Sequence, residues 1–489
     1  MPNLKPLTIL HSNDMHGDFL VEKKDERLVG GVSMLSGYVN LVREKEKNVI
    51  YCIAGDMFRG SVIDSEYRGI STIEIMNRLS PDVVTLGNHE FDYGVSHLLF
   101  IEKCAKFPII NANLYIKTNH ARLFTPCLTI EIDGMNILFI GIITQEIIAQ
   151  AKSDELVGTI IDTADAANTV EQICNSYKGI DVDFTVLLTH IGFDEDIKLA
   201  NMLNPDCGVD VIIGGHSHTI LEKPYEANGI LIAQAGVGTD QIGRFDILVN
   251  TDTNSVHSYE WELVPIDNTR CPRDKDLEDL ITTYNDVLDL KYKRLVTKFK
   301  KEMTHPQRNT ETALGNLLAE IVRESLSLDI MMMGSGSIRK TALGPVVEFG
   351  ALSETLPYDD QVFLLILDGK TLKKALLYTM RDDRFAGHTE CFQFSKGFRM
   401  VYDRDKKEIT DLCLHGVPIA DDRRLSVGLQ TFHFNNTETS LGLTMQEISV
   451  YQKPRAVAVS IFGIILEYLE NHNLLTSEVE GRITIIGGC

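Results

Sequence analysis

A short polar run near residue 90 combines residue types that bind metals and transfer protons. It reads Gly87-Asn88-His89-Glu90-Phe91-Asp92. The preceding residues, 82–86, are rich in β-branched side chains, which predicts a buried strand. Polar groups at the carboxyl end of a strand lie where open α/β sheets bind their ligands. Taken alone, the run is equally compatible with a polar loop that caps a helix.

Similar polar residues follow other predicted strands, which cover residues 7–10, 48–54, 107–110, 183–188 and 209–213. Glycines beside most of these residues allow sharp turns and close backbone approach. A single His or Asp at a strand end usually caps the strand or faces solvent. A set at successive strand ends indicates convergence on one site. The candidate ligands are Asp14, His16, Asp56, Asn88, His190, His216 and His218.

These seven side chains offer imidazole, carboxylate and amide donors. Imidazole suits Zn²⁺ and other transition metals, whereas carboxylate oxygen also suits Mn²⁺ and Mg²⁺. Seven donors are too many for one tetrahedral ion, but they can hold two ions if one carboxylate bridges, and Asp56 is the natural bridge. Two ions about 3.5–4 Å apart clamp a phosphoryl group for in-line displacement, and they lower the pKa of bound water from ~16 toward ~7.

The chain is long enough for two domains, and its pattern changes near residue 270. Residues 1–270 alternate strands with helix-length polar segments, which predicts a layered α/β domain. Residues 271–298 predict a connecting helix, because apolar residues recur there at helical spacing and charged residues occupy the other face. Residues 299–489 predict a mixed α+β domain.

Composition indicates which partners and which cellular compartment to expect. The 489 residues carry a formal net charge of −22, which disfavours nucleic-acid polymers and anionic membranes. Nine cysteines without a CxxC pair favour a reducing compartment. The chain opens without a signal-type apolar run, and residues 456–466 are too few to span a bilayer. We therefore expect a cytoplasmic protein, or a secreted or surface protein if a leader has been removed.

Taken in order, the polar blocks resemble the calcineurin-like metallophosphoesterases. Residues 9–17, ILHSNDMHG, resemble the 5′-nucleotidase branch, which includes UDP-sugar hydrolases and 2′,3′-cyclic-nucleotide phosphodiesterases. The resemblance implies a four-layer metallophosphoesterase β-sandwich domain, of class α/β, followed by an α+β 5′-nucleotidase C-terminal domain that binds substrate. It also implies two divalent ions, such as Mn²⁺ or Zn²⁺.

The same resemblance assigns the site residues. One ion would be held by Asp14, His16, Asp56 and His218, and the other by Asp56, Asn88, His190 and His216. His218 departs from the Gln or Asn that many family members carry. His89 resembles the catalytic histidine that contacts the phosphoryl group or the leaving oxygen. Asp92 resembles its carboxylate partner, which orients the ring.

In the second half, Arg308, Arg339 and Tyr358 lie in motifs that resemble the substrate-binding domain. By analogy the arginines would grip phosphate or sugar, and Tyr358 would stack on a nucleobase. Two features depart from the family. Gly334 stands where the family has a substrate-contacting Asn, and residues 435–443 lack the family's second stacking aromatic. Phe432 or Phe434 could substitute for it.

The sequence therefore predicts hydrolysis of a phosphomonoester, namely a 5′-nucleotide, by in-line attack of metal-bound hydroxide. The alternatives are a 2′,3′-cyclic-nucleotide phosphodiesterase or a nucleotide-sugar hydrolase, because the metal site serves all three. A non-catalytic binding protein is a remote alternative, since all seven ligand positions, His89 and Asp92 are filled.

Overall fold

A computed structural model describes residues 2–144, 157–160, 163–385 and 391–487. The chain divides into two compact units, Met1–Leu288 and Asp289–Cys489. The division falls inside the helix Lys275–Tyr292, and we keep residues 271–298 as the proposed connector. Within the described residues no helix combines the length and the apolar character needed to cross a bilayer. The eight described cysteines are all free thiols.

In the described part of the N-terminal unit, a first sheet has six strands. Its order is Ser255–Pro265, Gln241–Asn250, Leu4–Ser12, Val49–Ala54, Val83–Thr85 and Ile109–Ile110. The last four strands are parallel, and the first two pair antiparallel at the opposite edge. Parallel pairing brings the carboxyl ends of consecutive strands to one edge of the sheet.

A second sheet of the same unit has six described strands. Its order is Tyr225–Ala227, Ile230–Ala233, Val211–Ile213, Phe184–His190, Met135–Ile143 and Cys127–Ile132. The central four strands are parallel, and an antiparallel strand closes each edge. All seven residues of Phe184–His190 are buried, as expected for a central strand that is covered on both faces.

The two sheets pack against each other through one apolar core, which includes Ile9, Ile50, Phe139, Phe184 and Phe245. A further core lies between the second sheet and two of the helices. The helices of this unit are Val32–Lys45, Val62–Glu66, Ile70–Leu79, Val95–Cys104, Thr163–Tyr177 and Phe193–Met202, with short 3₁₀ turns at His89–Phe91 and Pro205–Cys207. The predicted four-layer sandwich is confirmed. Smaller pairs join Glu22–Lys24 to Arg27–Val29 and Leu114–Ile116 to Val157–Ile160.

In the C-terminal unit, the described strands form two larger sheets. One has the order Phe392–Phe394, Ile330–Gly334, Arg424–Gln430, Val362–Asp368 and Arg455–Ala458, and the other has Val417–Pro418, Glu408–Leu414, Phe398–Asp403 and Ile483–Ile486. Shorter pairs join Leu295–Lys298 to Val346–Glu348 and Met303–Thr304 to Ala342–Leu343. Parallel and antiparallel pairs both occur, so the predicted α+β class is confirmed.

Helices cover these sheets through two apolar cores. They are Ala313–Leu326, Phe349–Thr355, Gly369–Thr379, Asp382–Phe385, Thr431–Asn435, Thr437–Leu441, Met445–Ile448 and Ile461–Asn471, with a 3₁₀ turn at Ser335–Ser337. Two helix starts show why the chain turns there. The Thr312 and Asp368 side chains accept hydrogen bonds from backbone N–H groups of the first turn, which satisfies donors that a helix otherwise leaves unpaired.

Candidate functional site

The carboxyl ends of five parallel strands of the N-terminal unit, together with the loops that follow them, carry the predicted metal ligands. In the first sheet these strands end at Ser12, Ala54 and Thr85, and in the second sheet they end at His190 and Ile213. The two sheets share one core. The structure brings all seven predicted ligands into one cluster, built around two buried carboxylates.

Asp14 is the centre of one side of the cluster. Its Oδ1 atom lies 3.4 Å from His218 Nε2, 3.8 Å from His190 Nε2 and 3.9 Å from His16 Nε2. The carboxylate itself is fully buried. It is held by the backbone N–H of His216 at 3.0 Å and by Asn13 Nδ2 at 2.7 Å.

Asp56 reaches both sides of the cluster. Its Oδ2 atom lies 3.1 Å from His190 Nε2 and 3.9 Å from His16 Nε2. On the far side, Asn88 Oδ1 lies 2.8 Å from His216 Nδ1 and 3.2 Å from His190 Nε2. Asp56 therefore lies beside one histidine from each of the two predicted ligand sets.

The donor atoms fit divalent cations. His190 Nδ1 donates a hydrogen bond to the Ala54 carbonyl at 2.8 Å, and His16 Nδ1 lies 3.3 Å from the Phe58 carbonyl. A ring that donates through Nδ1 presents the lone pair of Nε2. His16 Nε2 then lies only 3.1 Å from His218 Nε2. Three groups of three residues each bring their donor atoms within 4.8 Å of one another: Asp14, His16 and His218; Asp14, Asp56 and His190; and His16, Asp56 and His89. Nitrogen and oxygen donors without sulfur suit Mn²⁺, Zn²⁺ and similar ions.

The charges of the cluster also call for a cation. Burial opposes ionisation of Asp56, but the adjacent His190 ring lowers the pKa of this carboxyl below its usual range. Burial lowers the pKa of His190, but the Asp56 carboxylate outweighs burial and raises the pKa of the ring to about 9. Each shift favours positive charge beside the two buried carboxylates, which is the condition that a bound metal ion satisfies.

Backbone conformation at the ligands is unusual. Asp14, His16, Asp56, His216 and His218 all have positive φ angles, between 48° and 79°. Such angles are uncommon for residues with a Cβ atom and cost about 1–3 kcal/mol each, and they concentrate at functional sites. Five ligand residues therefore hold backbone conformations that the surrounding structure must enforce.

Glu90 holds two ligand loops together. Its buried carboxylate accepts hydrogen bonds from the backbone N–H groups of Asp56 at 3.1 Å, Met57 at 2.7 Å and Gly87 at 2.6 Å. Burial raises the pKa of Glu90 to about 7. The structure thus places the Glu90 carboxylate on backbone donors of the loops that follow Ala54 and Thr85.

His89 and Asp92 form a hydrogen-bonded pair beside the cluster. His89 Nδ1 donates to Asp92 Oδ2 at 2.7 Å, and the His89 backbone N–H donates to Asp56 Oδ1 at 2.9 Å. The hydrogen bond to Asp92 raises the pKa of His89. Its side chain is 32% exposed, so the ring is reachable by a ligand.

Arg59 is a neighbour of this pair that sequence reasoning missed. Its Nε atom lies 2.7 Å from Asp92 Oδ2, and its guanidinium lies 5.9 Å from the Tyr93 ring centroid. Arg59 therefore shares the carboxylate that orients His89. The sequence shows only that an arginine follows Asp56 by three residues, and this spacing does not predict a contact with Asp92.

The C-terminal unit contains a cavity of about 440 Å³. Its lining brings together the three predicted substrate residues with others: Arg308, Gly336, Ser337, Arg339, Tyr358, Asp360, Gln430, Phe432 and His433. Tyr358 is 53% exposed and Phe432 is 60% exposed. Arg308 and Arg339 form no ion pair with any carboxylate in the described parts of the chain. The cavity thus offers aromatic faces and unpaired cationic groups.

The structure also distinguishes the two candidate second aromatics. Phe432 lines the cavity. Phe434 stacks on Phe363, with ring centroids 4.0 Å apart, and packs against a hydrophobic core. Gly334 is buried and does not line the cavity.

Both halves of the chain match known protein families. Residues 7–219 match the family described as calcineurin-like phosphoesterase. The fold and the donor cluster therefore define a metal-dependent phosphoester hydrolase. Residues 294–441 match the family described as 5′-nucleotidase, C-terminal domain. The chain belongs to the 5′-nucleotidase family.

Relatives match over nearly the whole chain. The 5′-nucleotidase-related protein of Glossina morsitans morsitans is 27% identical over 548 residues, covering 99% of this chain and 95% of the relative. The 5′-nucleotidase of Mus musculus is 25% identical over 534 residues, covering 98% and 90%. The crystal structure of a 5′-nucleotidase precursor from Thermus thermophilus has a TM-score of 0.58 at 22% identity, covering 99% and 100%. At that identity the structural likeness shows the shared fold.

Proposed function

We propose that this protein hydrolyses phosphomonoesters, namely 5′-nucleotides, with two divalent ions held in the N-terminal unit. The observation that carries the proposal is the convergence of seven nitrogen and oxygen donors within one cluster. Two named relatives are a 5′-nucleotidase-related protein and a 5′-nucleotidase, which supports a nucleotide as the substrate.

The residues would divide between the ions as follows. Asp14, His16, Asp56 and His218 would hold one ion, and Asp56, Asn88, His190 and His216 would hold the other. When bound, two such ions lower the pKa of water and neutralise charge that develops on a phosphoryl group. Asn13 and the His216 backbone N–H keep Asp14 in place, so the donor geometry is organised before substrate binds.

His89 would hold and deliver a proton. Because Asp92 accepts from Nδ1, the ring is fixed with Nε2 as the atom available to substrate. The pKa of His89 is raised by Asp92, so the protonated ring is favoured and Nε2–H can donate to a phosphoryl oxygen or to the leaving oxygen. Arg59, whose Nε atom lies 2.7 Å from the same Oδ2 atom of Asp92, would limit movement of that carboxylate.

The cavity of the C-terminal unit would bind the nucleoside part. Tyr358 and Phe432 expose aromatic faces suited to stacking on a base. The guanidinium of Arg339 lies 5.9 Å from the Tyr358 ring centroid. Its planar donors suit phosphate or sugar oxygens, as do those of Arg308.

A substrate panel tests the proposal. Purified protein with Mn²⁺ would be assayed against 5′-nucleoside monophosphates, 2′,3′-cyclic nucleotides, nucleotide sugars, sugar phosphates and p-nitrophenyl phosphate. We expect 5′-nucleoside monophosphates to give the highest kcat/KM, and we expect a chelator to abolish all turnover. A preference for cyclic nucleotides or nucleotide sugars would show that the substrate is one of these compounds rather than a 5′-nucleotide. The proposed metal site would be unaffected by that outcome. Full turnover after metal removal would contradict the metal-dependent mechanism.

A further inference from the structure

Asp64 is a buried carboxylate that the proposed mechanism does not use. It lies on the short helix Val62–Glu66, and the residue is fully buried. Its Oδ2 atom accepts hydrogen bonds from the Arg59 backbone N–H at 2.9 Å and from the Tyr93 hydroxyl at 2.7 Å. Its Oδ1 atom accepts one from the Thr72 hydroxyl. Among the described residues, Asp64 forms no ion pair with a basic side chain.

A carboxylate at this position is costly to bury unless hydrogen-bond donors surround it. An apolar side chain of similar size would fill the same space without that cost. The three donors come from three separate segments: the loop after the strand Val49–Ala54, the helix Ile70–Leu79 and the turn that carries Asp92. Asp64 therefore joins separate segments of the chain, which an apolar residue could not do.

Two of these donors belong to a closed circuit of contacts that includes Asp92. Tyr93 directly follows Asp92 in the chain, so the Tyr93 hydroxyl ties the backbone of this turn to Asp64. Arg59 reaches the same turn from the other loop, because its Nε atom lies 2.7 Å from Asp92 Oδ2 while its backbone N–H is bound by Asp64. The circuit therefore holds Asp92 both through its backbone and through its carboxylate.

The position of the His89 ring depends on this circuit. Asp92 Oδ2, the atom that Arg59 contacts, is also the atom that His89 Nδ1 approaches at 2.7 Å. The His89 ring lies beside the candidate metal cluster, with its centroid 5.2 Å from that of the His16 ring. A shift of the turn would therefore move His89 relative to the predicted metal ligands.

The circuit also contacts the loop that carries His16. Arg59 has a positive φ angle of 67°, a strained conformation that the hydrogen bond to Asp64 helps to hold. A Cβ atom at the next residue, Gly60, would lie 2.2 Å from the His16 carbonyl oxygen. The two loops thus pack backbone against backbone, so the circuit has a fixed position relative to a predicted metal ligand.

We propose that Tyr93 and Asp64 are positioning residues for the proposed phosphoester hydrolysis. The Tyr93 hydroxyl, held on Asp64, fixes the turn so that His89 Nε2 keeps one position beside the candidate metal cluster. The inference rests on the proton-donor role proposed for His89, and it adds two residues that act through His89 rather than on the substrate. Burial, together with the Asp64 carboxylate, raises the pKa of Tyr93, so the phenol keeps the proton that it donates.

Tyr93→Phe tests the inference, because it keeps the ring and removes the hydroxyl. We expect kcat to fall by about three- to tenfold, since the bond between His89 and Asp92 stays in place but the turn is held less firmly. KM should stay unchanged. The loss should be the same for AMP and for p-nitrophenyl phosphate, because His89 meets the phosphoryl group that both compounds share. Metal analysis should still find two ions per chain.

Tyr284→Phe is the matched control. The Tyr284 hydroxyl also donates to a carboxylate, that of Glu74, at 2.6 Å, and both residues belong to the N-terminal unit but not to the circuit around Asp92. We expect wild-type kcat in this variant. Asp64→Asn is a second test, since its amide has one acceptor oxygen instead of two, and kcat should fall by about 10- to 100-fold. Thermal unfolding of every variant measures any loss of folding.

A double-mutant cycle with His89 separates positioning from general damage. If Tyr93 acts through His89, the His89→Ala background leaves no ring to misplace. The double variant should then have the kcat of His89→Ala alone. A general effect on the fold would instead lower kcat by the same factor in both backgrounds. The residual activity of these variants would be measured with p-nitrophenyl phosphate.

The outcomes separate this inference from the proposed function. The inference is wrong and the proposed function stands if wild-type protein hydrolyses nucleotides but Tyr93→Phe keeps wild-type kcat, loses its ions, or loses the same factor with and without His89. An equal loss in Tyr284→Phe would also overturn the inference. If wild-type protein with Mn²⁺ hydrolyses neither nucleotides nor p-nitrophenyl phosphate, both proposals are wrong. A lower kcat with two bound ions, which disappears in the His89→Ala background, supports the inference.

Discussion

The candidate metal cluster and the cavity of the C-terminal unit are built in opposite ways. The cluster is charged and centred on the buried carboxylates of Asp14 and Asp56, and five of its seven ligand residues have left-handed backbone conformations. The cavity is open, with exposed aromatic rings at Tyr358 and Phe432 and a neutral His433 at its wall. A reaction that needs ions at defined positions constrains every donor, whereas stacking tolerates different aromatic residues on different segments.

This contrast implies that substitutions in the two regions should lower the turnover of different sets of substrates. A change in the metal cluster should affect every phosphoester, because all substrates share the reacting group. A change in the cavity should affect only substrates that carry a base. Variants of both regions test this distinction, and the largest effect is expected in the metal cluster.

Asp56→Ala should cause the greatest loss, because Asp56 faces both sides of the cluster. We expect both ions to be lost and turnover of nucleotides and of p-nitrophenyl phosphate to fall by at least about 10³-fold. Metal analysis and steady-state kinetics measure the two effects. Asp252→Ala, which changes an exposed carboxylate of the same unit, is the control. Retention of two ions per chain would show that Asp56 does not bridge them.

His89→Ala should lower kcat by about 10²–10⁴-fold while the ions stay bound, because the role proposed for the ring is to donate a proton rather than to hold an ion. Asp92→Asn should cost about tenfold, since it weakens the orienting hydrogen bond at Nδ1 without removing the ring. Each variant should lose the same factor in kcat with nucleotides as with p-nitrophenyl phosphate. Wild-type kcat in His89→Ala would remove this residue from the mechanism.

Phe432→Ala and Phe434→Ala form a matched pair of neighbours with different surroundings. Phe432 is largely exposed at the cavity, so its loss should raise KM for nucleotides about tenfold with little change in stability. Phe434 stacks on Phe363, so its loss should lower the free energy of unfolding by about 2 kcal/mol and leave nucleotide KM nearly unchanged. Steady-state kinetics and denaturant titration measure these two effects. A raised KM in Phe434→Ala, together with a loss of stability in Phe432→Ala, would show that Phe434 rather than Phe432 stacks on the base.

The last expected effect concerns folding rather than turnover and is a pH dependence of stability from His433. The folded state lowers the pKa of this ring from 6.5 to about 4, so it binds a proton less tightly than the unfolded state does. The contribution is therefore fully present above pH 6.5 and is lost as pH falls toward 4, by about 1–3 kcal/mol. We expect His433→Gln to flatten the curve of unfolding free energy against pH in this interval. His472→Gln should not change it, and identical curves for wild type and His433→Gln would contradict a buried neutral ring.

Much of the N-terminal unit could be predicted from residue types. Continuous β-branched runs indicated buried parallel strands, and parallel strands bring their carboxyl ends to one edge. Polar residues after Ser12, Ala54 and Thr85 were therefore expected to meet. The supporting contacts could not be predicted, because the backbone N–H groups that Glu90 binds and the carboxylate that Arg59 shares carry no sequence signal.

The cavity was less predictable because aromatic residues serve cores and ligands equally well. Phe432 and Phe434 differ by two positions on one short helix, and only packing shows that one faces the cavity and the other faces Phe363. The sequence shows only that position 334 has no side chain. The structure shows that the His433 ring occupies the space where a side chain at this position would lie.

The sequence alone determined the reaction class, because a two-metal site requires particular donor atoms and those donors are encoded directly as residue types at strand ends. It also determined the layered architecture, since strand and helix patterns follow hydrophobic periodicity. Only the tertiary structure decided which aromatic lines the cavity and which side chain takes the space beside Gly334. Those features depend on contacts between residues far apart in the chain, such as Gly334 and His433, and such contacts arise from packing rather than from local pattern.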